Sequence, residues 1–223
     1  MALRSIASRT ALWVLLGSTL VLATIGSLLL HLTRTQILEH THREAAALAA
    51  HAGSQIQARV DRVAVSARML AAIIATRKDD AEPLLRDTLA ANLDMDGLAA
   101  VFRPSSNPAD SWPHSPFVSR LDNGTLTSRD LARDASPYWN NNWFLGGLGC
   151  SNGCWQRPFY SQSRHRQLIN YSVAISRDGQ PGGIINADVT LDWLHQILSS
   201  LAKPDGAYAF VLDSDGNYLA HDN

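Results

Sequence analysis

The chain has 223 residues, 46% of them hydrophobic and 17% charged, with a formal net charge of −1. That composition supports a sizeable buried core, and it removes the electrostatic case for nucleic acid, because the Lys and Arg residues are scattered singly with no basic stripe to meet a phosphate backbone. The length accommodates one good-sized domain with a membrane anchor, or two small domains.

Residues 1–10 contain Arg4 and Arg9 and no acid, and residues 11–32 contain no Asp, Glu, Lys or Arg. About 20 apolar residues suffice to cross a bilayer as a helix. The alternative is a cleaved signal peptide, whose apolar region usually runs about 7–15 residues. This one is longer and ends in no clean small-x-small site, so the uncleaved transmembrane helix is preferred. Trp13 and His31 then lie near the two interfaces. Arg4 and Arg9 hold 1–10 in the cytoplasm, and everything after 32 is expected outside, on the periplasmic side of a bacterial inner membrane.

Residues 33–76 contain no Pro, and Gly53 is the one weak helix former. Leu48, Ala52, Ile56, Val60, Val63, Ala67, Leu70 and Ile74 step by fours and threes, which makes one narrow helical stripe. A single helix there runs about 65 Å, more than a small domain covers. Its membrane-near half is therefore expected to pair with a second copy, giving a homodimer. The other reading is two shorter helices with a break near Gly53.

A mixed domain follows. Residues 82–92 read as a short helix, 97–102 as a strand, and 104–116, with four prolines, as a loop. Asn123-Gly124 is a hairpin-type turn, and 137–145 is an aromatic-rich loop or short helix. The clearest strand is 168–176, where Ile169, Tyr171, Val173 and Ile175 alternate with Asn170, Ser172 and Ala174. A turn at 177–180 leads to the return strand 182–189, a helix at 191–201, and strands at 208–212 and 218–221. The order predicts an α+β fold with an antiparallel sheet. One sheet face packs on the helix and the other is free to line a pocket.

Cys150 and Cys154 are the two cysteines, close together among Gly and Asn. One local disulfide in an oxidising compartment is expected; a redox pair or an assisted nucleophile is the other reading. His114, His165, His195 and His221 share no metal-ligand spacing. Asp213-Ser214-Asp215-Gly216-Asn217 resembles the start of a calcium loop, but strands flank it and the closing Glu is missing, so a hairpin turn is expected. No metal, cofactor or catalytic set of nucleophile, base and orienter is predicted.

In its later half the chain resembles the double Cache sensory domains of bacterial chemoreceptors, histidine kinases and related transmembrane regulators. The resemblance is carried by Tyr138-Trp139, Trp143-Phe144, Trp155-Gln156-Arg157-Pro158-Phe159, Leu168-Ile169-Asn170-Tyr171-Ser172-Val173, Asp178-Gly179, Gly183-Ile184-Ile185-Asn186-Ala187-Asp188-Val189-Thr190-Leu191 and Leu212-Asp213-Ser214-Asp215-Gly216-Asn217-Tyr218-Leu219-Ala220-His221. It implies a PAS-like, ligand-binding distal subdomain over 77–205, built on a signalling helix over 33–76. A membrane-near subdomain would start at 206–223 and be cut short there. In that family a second transmembrane helix and a cytoplasmic output domain follow.

The resemblance also implies a small-molecule site made of Tyr138, Trp143, Phe144, Phe159 and Asp188. Relatives that bind amino acids carry an Arg where this chain has Asn141 and an acid where it has Ser161. An aromatic box and one carboxylate remain, which favours a cationic or neutral polar ligand. Each aromatic has a plain core reading beside the pocket one, and Asp188 has a strand-end reading. By alternation Ile185, Ala187 and Val189 face the helix, so Asn186 and Asp188 point to the opposite face. The function expected is ligand sensing with a signal passed along the helix. A scaffold with an empty pocket and an anchored periplasmic enzyme are the alternatives.

Overall fold

The computed structural model describes residues 6–77, 80–104, 114–133, 138–162, 164–177, 179–201 and 206–221. Helix α1 (Ile6–Thr76) is unbroken. Gly53 does not interrupt it, and a Cβ placed there meets nothing within 4 Å. The chain forms two compact units, 1–51 and 52–223. In the first, the large apolar side chains Trp13, Leu20, Leu22, Leu30 and Ile37 are exposed, and α1 is long and apolar enough to cross a membrane. In the second, Val63, Ala67, Leu70 and Ile74 are buried, so the stripe read from the sequence is the seam of α1 against the sheet.

Helix α2 (Ala81–Ala91) follows, fixed by fully buried Leu85 and Leu89. The main sheet contains β1 (Gly97–Phe102), β2 (Pro116–Arg120), β3 (Leu126–Asp130), β4 (Cys154–Trp155), β5 (Phe159–Ser161), β6 (Arg166–Arg177) and β7 (Gln180–Thr190). The order is β3-β2-β1-β7-β6-β4, with β5 also paired to β6, and every pairing is antiparallel. The Asn123-Gly124 turn joins β2 to β3, with Gly124 at φ 82°. The two strands it joins carried no clear signal. β3 reads Leu-Thr-Ser-Arg-Asp with no buried residue, and β2 opens on a proline. Most of the 104–116 loop lies outside the described residues.

The two faces of the sheet separate cleanly. Leu98, Ala100, Phe102, Tyr171, Val173, Ile175, Ile185, Ala187 and Val189 share one core with the buried residues of α1. Ala99, Val101 and Ile184 face the other way, where they pack with Tyr138 and with Phe144 and Leu148 of α3 (Asn142–Leu148).

Cys150 and Cys154 are joined in a disulfide, with Cα atoms 5.6 Å apart, that closes the loop between α3 and β4. Gly153 in that loop has φ 85° and lies directly against the Tyr171 hydroxyl, so any side chain there collides. Tyr171 donates to the Asn152 carbonyl at 3.2 Å and accepts from Arg68 Nη1 of α1 at 2.9 Å. The loop thus curls round the sheet edge to the α1 face.

Helix α4 (Asp192–Ser200) and the hairpin of β8 (Phe210–Leu212) and β9 (Tyr218–His221) complete the chain. The Asp213 carboxylate accepts from the N–H groups of Asp215 and Asn217, which fixes residues 213–217 as the hairpin turn. The hairpin belongs to the same compact unit as the main sheet. Its Ala220 is buried in the core on α1, and His221 O lies 2.9 Å from His195 Nδ1 of α4.

Two outcomes test this packing on the full chain in detergent. Leu85→Ala should cost about 2–5 kcal/mol in chemical unfolding, whereas Gly53→Ala should stabilise by up to about 1 kcal/mol. Alkylation without reductant should label neither cysteine; two labelled thiols reject the disulfide.

Candidate ligand-binding site

Strand register places the polar residues of the second face in two rows. One runs Asn170, Asp188, Gly97, Ser119 across β6, β7, β1 and β2; the next runs Ser172, Asn186, Ala99, Phe117, Arg129. Because strand side chains alternate, these residues project from the face opposite α1. The small residues Gly97 and Ala99 leave a depression between the larger ones.

A cavity of about 630 Å³ opens over this depression. Asn170, Asn186, Asp188 and Ala99 form its floor. Phe117, Arg129 and Leu131 form one wall, and Asn142 and Trp143 of α3 with Gln156, Arg157 and Phe159 close the rest. Gln156 is held by the disulfide, donating from Nε2 toward Cys154 Sγ at 3.3 Å. Arg157 is at the rim and pairs with Asp215 of the hairpin turn at 3.0 Å.

The floor is a directed chain of hydrogen bonds. Ser172 Oγ and Asn170 Nδ2 donate to Asn186 Oδ1 at 2.9 and 3.3 Å, and Asn186 Nδ2 donates to Asp188 Oδ1 at 2.9 Å. Since a carboxylate can only accept, this order fixes the orientation of both amides. It leaves Asn170 Oδ1 buried with no donor among the described residues. Asp188 Oδ2 has Arg164 Nη2 at 3.9 Å, too far for a hydrogen bond. Burial pushes the Asp188 carboxyl up to about 6, against the pull of Arg164, the Asn186 hydrogen bond and Arg129; Asp96 adds to the rise. Two acceptors on the cavity floor therefore lack donors, which is the complement of an ammonium group.

Of the residues expected from the sequence, Trp143, Phe159 and Asp188 line the cavity together. Phe144 and Tyr138 do not. Phe144 is 1% exposed in the packing between α3 and the sheet, and its ring meets that of Tyr138 edge-on at 5.5 Å. The Tyr138 hydroxyl is spent on Phe102 O at 2.7 Å and Ser115 Oγ at 2.8 Å. Phe144 is a core residue because α3 turns one side of its Trp-Phe pair inward and the other to the cavity, and Tyr138, ahead of α3, packs on Phe144 over the same sheet face. Asn170, Asn186, Arg129, Arg157 and Gln156 went unread as site residues. Alternation in 168–176 already put Asn170 on the Asp188 face; Arg129, on an exposed polar strand, gave no signal.

The described residues contain no group of three or more His, Cys, Asp or Glu able to hold a metal ion.

The family described as methyl-accepting chemotaxis protein-like, first PDC sensor domain, matches residues 81–196, just over half of the chain. The methyl-accepting chemotaxis protein PctB of Pseudomonas aeruginosa is 26% identical over 108 residues, covering 47% of this chain and 17% of that protein. McpG of Pseudomonas putida is 24% identical over 138 residues, 61% of this chain and 22% of that protein. The chain thus matches about a fifth of the length of these relatives. Among solved structures, the ligand-binding domain of the Campylobacter jejuni chemoreceptor Tlp3 in complex with L-valine has a TM-score of 0.65 at 16% identity, covering 85% of this chain and 74% of that one. That likeness shows the fold. Such domains are sensing modules rather than enzymes. The chain belongs to the methyl-accepting chemotaxis protein-like family, and residues 81–196 are its first PDC sensor domain.

Proposed function

We propose that the chain is the ligand-sensing part of a transmembrane chemoreceptor-type protein, and that its cavity takes a small molecule bearing a protonated amine. The observation that carries this is the pair of acceptors on the floor, the Asp188 carboxylate and Asn170 Oδ1, neither of which has a full complement of donors. Buried polar atoms without partners are uncommon and costly. An ammonium placed between them supplies donors to both, and Trp143 and Phe159 present aromatic surface to its cation and its carbon skeleton. Tlp3, of the same fold, has been solved with isoleucine and with L-valine bound.

In this reading α1 anchors the protein in the inner membrane, with the sheet domain in the periplasm. Two copies pair along the membrane-near half of α1, and the hairpin 206–221 begins a membrane-near subdomain. Ligand binding favours one arrangement of the sheet on α1 and so reaches the membrane. The Arg68–Tyr171–Asn152 connection and the buried stripe of α1 give that shift a material path.

Thermal unfolding of the full chain in detergent, against small amines, L-amino acids and organic acids, tests the ligand class. Amine-bearing compounds should raise the Tm of the wild type and leave Asp188→Asn and Asp188→Ala unmoved. A response confined to acids rejects the amine reading, and a response to no compound at all leaves the empty scaffold.

The pH dependence carries a separate sign. The Asp188 carboxyl rises from an ordinary 3.8 to about 6 on folding, so the folded chain holds this proton more tightly than the unfolded one. Without ligand, stability should therefore fall as pH climbs from about 4 to 6, by on the order of 3 kcal/mol at most. Asp188→Asn should remove that fall and exceed the wild type in Tm above pH 6. Superimposable Tm profiles of the two proteins from pH 4 to 8 would falsify it. Amine affinity should weaken as pH drops below about 6, where Asp188 takes up its proton.

A further inference from the structure

The disulfide loop between α3 and β4 touches the cavity wall on one side and α1 on the other. Cys150 and Cys154 are four residues apart in sequence, and both are partly exposed. So short a loop has little freedom to lose, and a cross-link stabilises least where the loop it closes is short. The loop's ends are also pinned to β6 without the disulfide. Cys150 O accepts from Ala174 N at 3.0 Å, and Cys154 pairs with Ser172 in the β4–β6 ladder. What the disulfide adds is the placement of the groups around it. Gln156, in the cavity wall, donates from Nε2 to Cys154 Sγ at 3.3 Å, with Cys150 Sγ at 3.8 Å. On the other side, Asn152 O accepts from the Tyr171 hydroxyl, which accepts from Arg68 of α1. The Trp155 ring, next to Cys154, lies 5.2 Å from that of Tyr171.

The surroundings of the two sulfurs also suit the reduced pair. A disulfide sulfur has no hydrogen to donate, yet Cys150 Sγ lies 3.4 Å from the Gly146 carbonyl oxygen. Cys154 Sγ faces the Gln156 amide, a donor that a thiolate accepts from more strongly than a disulfide does. Reduction gives each sulfur a better partner: the Cys150 thiol donates to Gly146 O, and the Cys154 sulfur meets the Gln156 N–H as it leaves.

We propose that the Cys150–Cys154 disulfide is a reducible tie between the cavity wall and α1, so that the thiol–disulfide balance around the sheet domain sets how firmly the two are joined. The reductant is a small thiol of the glutathione type. Its thiolate attacks Cys150 Sγ, the S–S bond breaks, and Cys154 leaves as a thiolate beside Gln156. A second thiol attacks the small-molecule sulfur of the mixed disulfide and releases Cys150. Two small thiols are thus oxidised to one disulfide, and their two electrons and two protons end on the Cys150 and Cys154 thiols. The loop's ends stay on β6, while Gln156 and residues 151–153 lose their hold, which makes the change local and reversible. Its consequence for sensing rests on the reading of the main cavity; the tie itself does not.

The test uses the full chain in detergent. Excess reduced glutathione on the native chain, followed by acid quench, alkylation and mass spectrometry, should label both cysteines, whereas ordinary structural disulfides resist glutathione. A disulfide that opens only after denaturation overturns the proposal. Tm is then measured for the closed and opened forms of the wild type, Gln156→Ala, Tyr171→Phe and Arg68→Gln, the closed forms checking that each variant folds. Groups in one network are not additive, so opening should lower the Tm of each variant by roughly half as much as that of the wild type. Equal losses in all of them mark a local staple and overturn the tie. A smaller loss confined to Gln156→Ala overturns the reach to α1, and one confined to the other two variants overturns the hold on the cavity wall. Cys150→Ser combined with Cys154→Ser should reproduce the opened form and ignore glutathione; a glutathione response there also overturns the tie. With isobutylamine as probe, the rise in Tm should be larger for the closed chain than for the opened one, and an equal rise overturns the consequence for sensing. No rise in either form with isobutylamine or any other amine, beside the expected variant losses, keeps the tie and rejects the amine reading of the main cavity.

Discussion

Strand β7 is paired along both edges, to β1 and to β6, so its backbone groups are consumed by the sheet and its side chains have two destinations. Successive residues must go to opposite faces. Ile185, Ala187 and Val189 enter the core on α1; Ile184, Asn186 and Asp188 enter the other side. The apolar seam fixes the register, because sliding the strand by one residue would bury Asp188 in the apolar core on α1 and strand Ala187 in the cavity. The position of the carboxylate thus follows from packing on the far side of the sheet, and the cavity inherits its geometry from a core it never touches.

That inheritance has an energetic cost, and the floor shows how much of it is recovered. Ser172, Asn170, Asn186 and Asp188 satisfy one another in a chain that ends on the carboxylate. Among the described residues the chain is one donor short at Asn170 Oδ1, and the buried Arg164 is short of acceptors. Arg164 and Asp188 are of opposite charge, yet they stop at 3.9 Å and do not close into a hydrogen bond. Arg164 instead lies against the Phe117 ring in the space that Gly97 leaves. Partly paired charges in a low-dielectric setting are where ligand groups gain most, since each bond formed removes a standing desolvation penalty.

Much of this fold could be read from the sequence because its strongest elements have a single periodicity. α1 announces itself by the absence of proline and its three-four stripe, and β6 by the alternation of residues 169–175. The face of Asp188 followed from the same alternation. Legibility failed where the determinant is not local. β3 is polar after Leu126 and, as an edge strand, has no buried residue, so it resembles a loop. Trp143 and Phe144 are neighbours in sequence and alike in chemistry, and only the direction in which α3 lies on the sheet decides that one lines the cavity and the other the core. Arg129 and Arg164 come from separate elements and meet at a ring on a third, a coincidence of topology that no spacing along the chain encodes.

The alternation in β6 and β7 also bears on how such a sensor domain can diversify. Positions 170, 186 and 188 project away from α1, so exchanging them alters the lining of the cavity while the residues that grip the helix stay in place. A change in strand length is different in kind, because one inserted or deleted residue swaps the two faces downstream of it and carries helix-packing side chains into the cavity. Substitution at these positions therefore changes the cavity's chemistry without moving the helix seam, whereas a change in the length of either strand disturbs both at once.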